Sequence, residues 1–248
     1  MRVHVLGSAG GAAAAAADVV VQAAAADPEL VLGLPTGRTM VPFYAELARR
    51  HRRSETDLSR ARSFNLDELL LPPGHPASFR AFMERHAWGR TGLDPDRADI
   101  PDPAADPAAE CARYDRALAA AGPLDLVILG VGADGHVAYN LPGPVHPETH
   151  VVEVPPEVAA TLRPPVAPPL FAITLGFAPL LRARRLLLLA TTADKRRAVE
   201  ALLDGPPDPA WPCSLLRRHP SFDVVLTPQA GGVAEPREEA AAAAALSR

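Results

Sequence analysis

Short apolar runs alternate with stretches of helical periodicity along most of this chain of 248 residues. The apolar runs are continuous, which is typical of parallel strands covered on both faces of a sheet. We predict six strands, over Val3–Leu6, Leu30–Leu34, Arg62–Leu66, Leu124–Gly130, Leu186–Ala190 and Asp223–Thr227. We predict five helices, over Ala12–Ala26, Met40–Arg50, Phe79–His86, Ala108–Ala121 and Asp194–Leu203.

This alternation predicts the α/β class, with a doubly wound, mostly parallel open sheet (Rossmann-like) and helices on both faces. The βα units are too few for a TIM barrel, and in an open sheet a ligand binds beyond the carboxyl ends of the strands. Neither an internal repeat nor a linker is present, so we predict a single domain over residues 1–248. The Pro-rich segment Arg163–Pro169 is predicted to be a loop. We expect Glu238–Arg248 to be either a final helix or a frayed end.

Composition and charge narrow the function classes. Hydrophobic residues make up 48% of the chain, which excludes disorder as a global description. The net charge is −4 and no Lys/Arg cluster exceeds three residues, so we predict no nucleic-acid partner. Cys111 and Cys213 lie far apart and outside any CxxC pair, so we predict neither a zinc site nor a disulfide framework.

The N-terminal segment invites comparison with a signal peptide, because Arg2 precedes an Ala-rich stretch. However, MRVHVLG has the pattern of a strand, and Asp18 interrupts the apolar run. No other run of 18 apolar residues is free of charge, so we predict no membrane span. We therefore expect a cytoplasmic protein with a small-molecule partner, and homo-oligomerisation stays open.

The first loop that could bind a ligand lies between a strand and a helix. It runs from Gly33 through Thr36, Gly37, Arg38 and Thr39. Glycines let backbone N–H groups point at an anion, and the helix N-terminus adds a favourable dipole. We therefore predict phosphate binding at this loop. The alternative is an ordinary turn in which Thr39 only caps the helix. No GK[ST] ends the loop, so it is not a Walker loop.

Two adjacent acids, Asp67 and Glu68, follow the third predicted strand. A carboxylate in a partly dry pocket at a strand's carboxyl end can move a proton between the carbons of a sugar. We therefore take Asp67 as a candidate catalytic base and Glu68 as a candidate substrate-binding residue. The alternative for this pair is a solvated loop or a helix N-cap.

A third loop, Gly132-Ala133-Asp134-Gly135-His136, follows an apolar strand. Asp134 and His136 are two residues apart, so the carboxylate can orient an imidazole that acts as acid or base near pH 7. We predict that both are catalytic and that Gly132 lines the site. The alternative is a structural histidine. Lys195, the only lysine among 25 basic residues, is a candidate phosphate ligand, and otherwise a solvated helix residue.

Five segments together resemble the glucosamine-6-phosphate deaminase (isomerase) family, whose fold is shared with the 6-phosphogluconolactonases. They are LGLPTGRT, FNLDELLLPPGHPASFRAFM, DLVILGVGADGHVAYNLPG, FAITLGFAPLLRARRLLLLATTADKRRAVEALL and CSLLRRHPSFDVVLT. The resemblance covers most of the chain, in the family's order. Although no single segment is decisive, five ordered matches form a specific signal.

The resemblance implies a role for each candidate. The loop Thr36–Thr39 and Lys195 match the residues that bind the sugar phosphate, with Arg38 where a second small residue is common in the family. Asp67 matches the acid that carries a proton between C1 and C2. His136 matches the ring-opening catalyst, and Asp134 its supporting acid. Neither a metal nor an organic cofactor is implied.

Two positions depart from the family pattern or align poorly with it. Deaminases usually carry Glu directly after the Asn that follows the third loop, where this chain has Asn140-Leu141-Pro142. Leu141 accepts no hydrogen bond, so His136 should lose a partner for its charged form. A family arginine that reaches the phosphate falls in a segment that aligns poorly, and Arg163 is the nearest candidate.

Three functions follow from this comparison. The resemblance favours a deaminase that converts glucosamine 6-phosphate, or a close relative, to fructose 6-phosphate and ammonia. The first alternative is a 6-phosphogluconolactonase-like hydrolase, for which Leu141 is no handicap. Lactonases, however, typically carry Arg after the acid pair, where this chain has Leu69. The second alternative is a sugar-phosphate sensor without turnover.

Overall fold

A computed structural model describes residues 1–232, so the predicted tail Glu238–Arg248 lies outside the described residues. The strands are β1 Arg2–Val5, β2 Val31–Leu34, β3 Arg62–Asn65, β4 Asp67–Leu69, β5 Ala98–Asp99, β6 Leu126–Leu129, β7 His150–Val154, β8 Leu170–Thr174, β9 Leu186–Ala190 and β10 Phe222–Leu226. The helices are α1 Ala9–Ala26, α2 Met40–Arg52, α3 Phe79–His86, α4 Pro107–Ala121, α5 Pro156–Ala159, α6 Phe177–Arg182, α7 Arg196–Leu203 and α8 Pro228–Gly231. Short 3-10 turns cover Pro95–Arg97, Ala193–Lys195 and Pro212–Arg218.

Seven strands form a parallel sheet in the order β1-β10-β9-β6-β2-β3-β5. Its strands bury side chains on both faces: along β6, Leu126 and Ile128 join one apolar cluster, while Val127 and Leu129 join another. This two-sided burial explains the continuous apolar runs. The prediction of a doubly wound, mostly parallel open sheet with helices on both faces is therefore confirmed.

A second, antiparallel sheet in the order β4-β8-β7 lies beside the large one. The sequence pattern predicted none of its strands, nor the two-residue strand β5. Strand β4 is only three residues long and carries two acids, and β7 and β8 flank the Pro-rich loop. Strands β4 and β7 carry polar or charged residues in place of the continuous apolar run by which the strands of the large sheet are recognised, and β8 directly follows the Pro-rich segment.

Helix α1 is the one helix of the described chain that is long and apolar enough to cross a membrane, by length and composition only. Within the fold it packs against α2, β9 and β10 with a face of buried alanines and valines. The Ser8 hydroxyl caps it by accepting a hydrogen bond of 3.0 Å from the Gly11 N–H. This is the packing of a core helix, and the absence of a membrane span stays a prediction.

Candidate active site

The segments that carry the predicted site residues leave one edge of the large sheet. Strands β9, β6, β2 and β3 are parallel neighbours in that order, and the candidate loops follow their carboxyl ends. From β2 the chain continues to β3 on one side, whereas β6 lies toward β9 on the other, so a topological switch point lies between β2 and β6. The four strands span about 14 Å, three inter-strand spacings, which suits a hexose phosphate.

The loop after β2 is open to an anion. Within residues 1–232, the backbone N–H groups of Thr36, Gly37, Arg38 and Thr39 have no hydrogen-bond acceptor. Gly37 adopts a φ of +109°, which L side chains rarely adopt and which turns the chain into α2. The Thr39 hydroxyl makes no capping bond to α2. The alternative in which Thr39 only caps the helix therefore does not describe this loop.

Gly33 is not part of the loop Thr36–Thr39. It lies inside β2, and a Cβ atom at this position would come within 3.0–3.2 Å of Val127 and Leu124 side-chain atoms. Gly33 therefore allows close packing of β2 on the neighbouring strand, and we withdraw it from the predicted substrate contacts.

Asp67 is a buried carboxylate without a hydrogen-bond donor among the described residues. It starts β4, pairs with Thr174 of β8, and is 6% exposed. Burial, assisted by the negative charge of Glu68, raises the pKa of Asp67 to about 8. Its charge in turn helps to raise the pKa values of the buried Tyr44 and Tyr139, which follows from their proximity.

Glu68 has a different environment although it is adjacent in sequence. Its fully buried carboxylate accepts hydrogen bonds of 2.7–2.8 Å from the backbone N–H groups of Leu69, Phe79 and Arg80. Two of these groups form the N-terminus of α3, so Glu68 holds that helix on β4. Burial raises its pKa, and the three hydrogen bonds oppose that effect. We therefore assign Glu68 a structural role in place of the predicted substrate contact.

The loop after β6 brings an acid and an imidazole together. The Nδ1 atom of His136 lies 2.7 Å from Oδ1 of Asp134, which also accepts a 3.2 Å hydrogen bond from the His136 N–H. The pair leaves Nε2 as the imidazole nitrogen available to a substrate. A Cβ atom at Gly132 would overlap both His136 Nδ1 and Asp134 Oδ1. Glycine at 132 is thus a condition of this acid–imidazole contact.

Burial raises the pKa of Asp134, but the contacts with His136 outweigh burial and lower it overall. A carboxylate that stays ionised is suited to stabilise a positively charged imidazole. The segment after α7 supports the loop from behind, because the Cys213 N–H donates a 2.8 Å hydrogen bond to the Gly135 carbonyl. The geometry therefore suits His136 to proton transfer.

Lys195 follows β9, and its side chain is only 20% exposed. Its Nζ lies 3.2 Å from Oδ2 of Asp194, a partner that is itself 56% exposed. Because β9 is parallel to β2 in the large sheet, Lys195 follows the same edge of the sheet as the Thr36–Thr39 loop. Arg163 differs, because its guanidinium donates to the carbonyls of Ala160, Thr161 and Leu162 in its own loop. We withdraw Arg163 as a phosphate ligand.

Leu141 is partly buried against the large apolar cluster. The acid in contact with His136 is therefore Asp134, and position 141 offers no second one. Sequence reasoning missed the aromatic residues around the site, Tyr44, Phe79 and Tyr139. Tyr139 lies three residues beyond His136, but the spacing of residues in a sequence does not reveal which aromatic rings stack.

The fold and these loops define an open α/β protein with a loop of backbone N–H groups that have no acceptor in the described chain, a buried carboxylate and an acid–histidine pair at one sheet edge. In residues 1–232, no group of three His, Cys, Asp or Glu side chains is placed to hold a metal ion. Residues 8–226 match the family model "Glucosamine-6-phosphate isomerases/6-phosphogluconolactonase". The chain belongs to this family.

Similar proteins include glucosamine-6-phosphate deaminase 2 of Giardia intestinalis, 42% identical over 201 residues, which are 78% of this chain and 76% of the relative. The glucosamine-6-phosphate deaminase of Beutenbergia cavernae is 38% identical over 212 residues, 82% of this chain and 81% of the relative. A solved structure of a monomeric glucosamine-6-phosphate deaminase superposes with a TM-score of 0.89 at 30% identity, covering 94% of this chain and all of that one. A 6-phosphogluconolactonase from Leishmania guyanensis, at 21% identity and a TM-score of 0.76, covers 93% of this chain and 97% of its own and shares the fold.

Proposed function

We propose that this protein is an amino-sugar phosphate deaminase that converts glucosamine 6-phosphate, or a close relative, and water to fructose 6-phosphate and ammonia. The observation that carries the proposal is Asp67, a buried carboxylate with a raised pKa and no hydrogen-bond donor among residues 1–232. Such a group is suited to take a proton from carbon. Relatives named glucosamine-6-phosphate deaminase, at 35–42% identity over most of the chain, support the substrate class.

The substrate phosphate binds at the loop Thr36–Thr39. Four backbone N–H groups that have no acceptor within residues 1–232, two threonine hydroxyls and the N-terminus of α2 supply donors and a favourable dipole. Lys195 adds a positive charge from the loop after β9, and Arg38 lies exposed within the first loop. This anchoring directs the C1 and C2 end of the sugar toward the other loops.

His136 opens the sugar ring. Its Nε2 carries the proton of the anomeric hydroxyl to the ring oxygen, so the C1–O5 bond breaks and C1 becomes an aldehyde. Asp134 stabilises the positively charged imidazole through the 2.7 Å contact at Nδ1. In this family member Asp134 stabilises the charged imidazole without the help of an acid at position 141. The charge-assisted hydrogen bond that Leu141 cannot accept from His136 would be worth about 1.5–3 kcal/mol.

Asp67 then moves the proton between carbons. Its carboxylate takes the proton from C2, the C1–C2 double bond forms, and the aldehyde oxygen takes up a proton that the substrate ammonium releases. The protonated Asp67 returns its proton to C1, which leaves a protonated imine at C2. Water adds to C2 and ammonium leaves, so the products are fructose 6-phosphate and ammonium.

A lactonase is the second candidate, and Leu141 is the observation that favours it. A neutral histidine that activates water needs less stabilisation of its charged form, so an apolar neighbour is no handicap. A sugar-phosphate sensor without turnover is the third candidate.

We also propose a cytoplasmic protein with neither a membrane nor a nucleic-acid partner. The packing of α1 into the fold and the modest net charge of −4 support this proposal.

A substrate panel tests the proposal. Purified protein is incubated with glucosamine 6-phosphate, other hexosamine 6-phosphates and 6-phosphogluconolactone, and ammonia and acid release are measured. We expect ammonia from an amino sugar phosphate and no hydrolysis of the lactone above the spontaneous rate. Acid release from the lactone alone would establish the lactonase, and saturable binding without either product would establish the sensor.

A further inference from the structure

Three aromatic rings form a continuous stack across the candidate site. The Tyr139 ring is parallel to the His136 imidazole, with centroids 5.8 Å apart and an interplanar angle of 8°. Phe79 also stacks on Tyr139, with centroids 5.9 Å apart and an angle of 21°. These distances correspond to offset stacking, a favourable arrangement for aromatic pairs. The imidazole plane is therefore defined by the Tyr139 ring as well as by Asp134.

The far end of the stack is fixed to the strand that carries Asp67. Phe79 is the first residue of α3, and its N–H donates a 2.7 Å hydrogen bond to the buried Glu68 carboxylate. Glu68 directly follows Asp67 in β4. A short path of contacts therefore joins the carboxylate proposed as base to the imidazole proposed as ring opener, through Glu68, Phe79 and Tyr139.

The backbone of Tyr139 is held just as firmly. Its N–H donates a 3.0 Å hydrogen bond to Oγ1 of Thr174, the residue that pairs with Asp67 between β4 and β8. The next residue, Asn140, donates through its side-chain amide to the carbonyls of Val137 (3.0 Å) and Leu175 (2.7 Å). These contacts fix the backbone on both sides of the ring.

Ala138, immediately before Tyr139, adopts a φ of +51°. A residue with a Cβ pays about 1–2 kcal/mol for this left-handed conformation, and such strain persists where the surroundings enforce it. Here the hydrogen bonds of Tyr139 and Asn140 enforce it. The strained backbone at Ala138 therefore belongs to the arrangement that aims the Tyr139 ring at His136.

We infer that Tyr139 is a positioning residue for His136: its ring, braced by Phe79, holds the imidazole plane so that Nδ1 meets Asp134 and Nε2 faces the substrate. This fixation is carried by the aromatic ring and does not need the hydroxyl. It provides an orientation of His136 at a site where Leu141 offers no hydrogen-bond acceptor. The effect on turnover rests on the proposed deaminase function, but the effect on the imidazole does not.

The experiment compares Tyr139→Phe, which keeps the ring, with Tyr139→Leu, which removes it. The His136 ring C–H resonances are followed by NMR and assigned with His136→Asn. A stacked ring shields these protons, so we expect a downfield shift in Tyr139→Leu and wild-type positions in Tyr139→Phe. For the amino sugar phosphate, we expect Tyr139→Leu to lower kcat on the order of 10- to 100-fold with KM within about twofold.

Two results would overturn the inference: unmoved His136 resonances in Tyr139→Leu, or an equal loss of kcat in Tyr139→Phe, which would place the function in the hydroxyl. Circular dichroism checks the fold of each variant. Should Tyr139→Leu not fold, Phe79→Leu removes the brace, and the His136 resonances must then move in the same direction. If wild-type protein has no deaminase activity, the proposed function fails, while the NMR comparison still decides whether the ring positions His136.

Discussion

Two buried aspartates lie at opposite ends of the sheet, and their surroundings differ in every respect but burial. Asp223 lies at the amino end of β10 with no exposed surface, and accepts hydrogen bonds from Arg2 (2.8 Å), Arg185 (3.0 Å) and His4 (3.2 Å). Asp67 follows the carboxyl end of β3, is 6% exposed, and within the described chain has no hydrogen-bond donor.

Their pKa values diverge accordingly. Burial raises the pKa of Asp223, but its cationic and histidine partners outweigh burial and lower it overall. Burial and the nearby Glu68 raise the pKa of Asp67 to about 8. Burial of a carboxylate therefore does not by itself mark a functional group. A buried carboxylate without a counter-charge does mark a candidate functional group, because ionising it destabilises the folded protein.

The largest predicted effect separates the two aspartates by activity. Asp67→Asn removes the base and should lower turnover of the amino sugar phosphate by about 10³-fold or more, together with solvent exchange at C2. Asp223→Asn, the matched control, should keep turnover close to wild type, because Asp223 lies at the opposite end of the sheet. Deuterium incorporation at C2 and ammonia release measure both. Unchanged exchange in Asp67→Asn would remove Asp67 from the mechanism.

The second prediction concerns stability and has opposite signs at the two positions. Because the folded-state pKa of Asp67 is raised, ionisation destabilises the fold as pH rises from about 4 to about 8. Asp67→Asn should therefore equal wild type near pH 4 and gain at most about 1.4 kcal/mol per pH unit up to pH 8. Urea unfolding at several pH values measures this gain. A variant less stable than wild type at pH 8 would contradict the assigned pKa.

At Asp223 the sign is reversed, because its folded-state pKa is lowered. Its contribution is present above the ordinary aspartate pKa and is lost as pH falls below it. Asp223→Asn should cost about 1–3 kcal/mol at pH 7, discounted because the Arg2 and Arg185 side chains are 48% and 25% exposed. The cost should vanish in acid. A loss of stability that is independent of pH would indicate a packing defect instead.

A smaller effect is expected at Leu141, on the His136 side of the site. If the enzyme is a deaminase in which the charged His136 imidazole lacks one hydrogen-bond acceptor, Leu141→Glu should supply that acceptor. The added charge-assisted hydrogen bond should raise turnover about 10-fold. Leu141→Gln has nearly the same shape without the charge and should gain little. Steady-state ammonia release compares the two. Equal turnover in all three proteins would indicate that the site is built for another substrate.

Six of the seven strands of the large sheet and the location of the candidate site could be predicted from the sequence, because most of these strands are buried on both faces and carry continuous apolar runs. The loops around Thr36, Asp67 and His136 follow neighbouring strands, so sheet topology alone brings them to one edge. Whether Glu68 binds substrate or holds a helix N-terminus could not be decided, since the helix it contacts begins eleven residues later and residue spacing does not reveal that contact. The small sheet that holds Asp67 was missed because β4 and β7 carry polar or charged residues within the strand and β8 directly follows a Pro-rich segment.

The pH dependence of kcat/KM for the amino sugar phosphate tests the central claim most directly, since it reports the ionisation of the free enzyme. With Asp67 as the base, the acid side of the profile should rise tenfold per pH unit and level off near pH 8. The limb should disappear in the residual activity of Asp67→Asn. A wild-type profile that is already flat above pH 5 would contradict the account, because the base would then be an ordinary carboxylate.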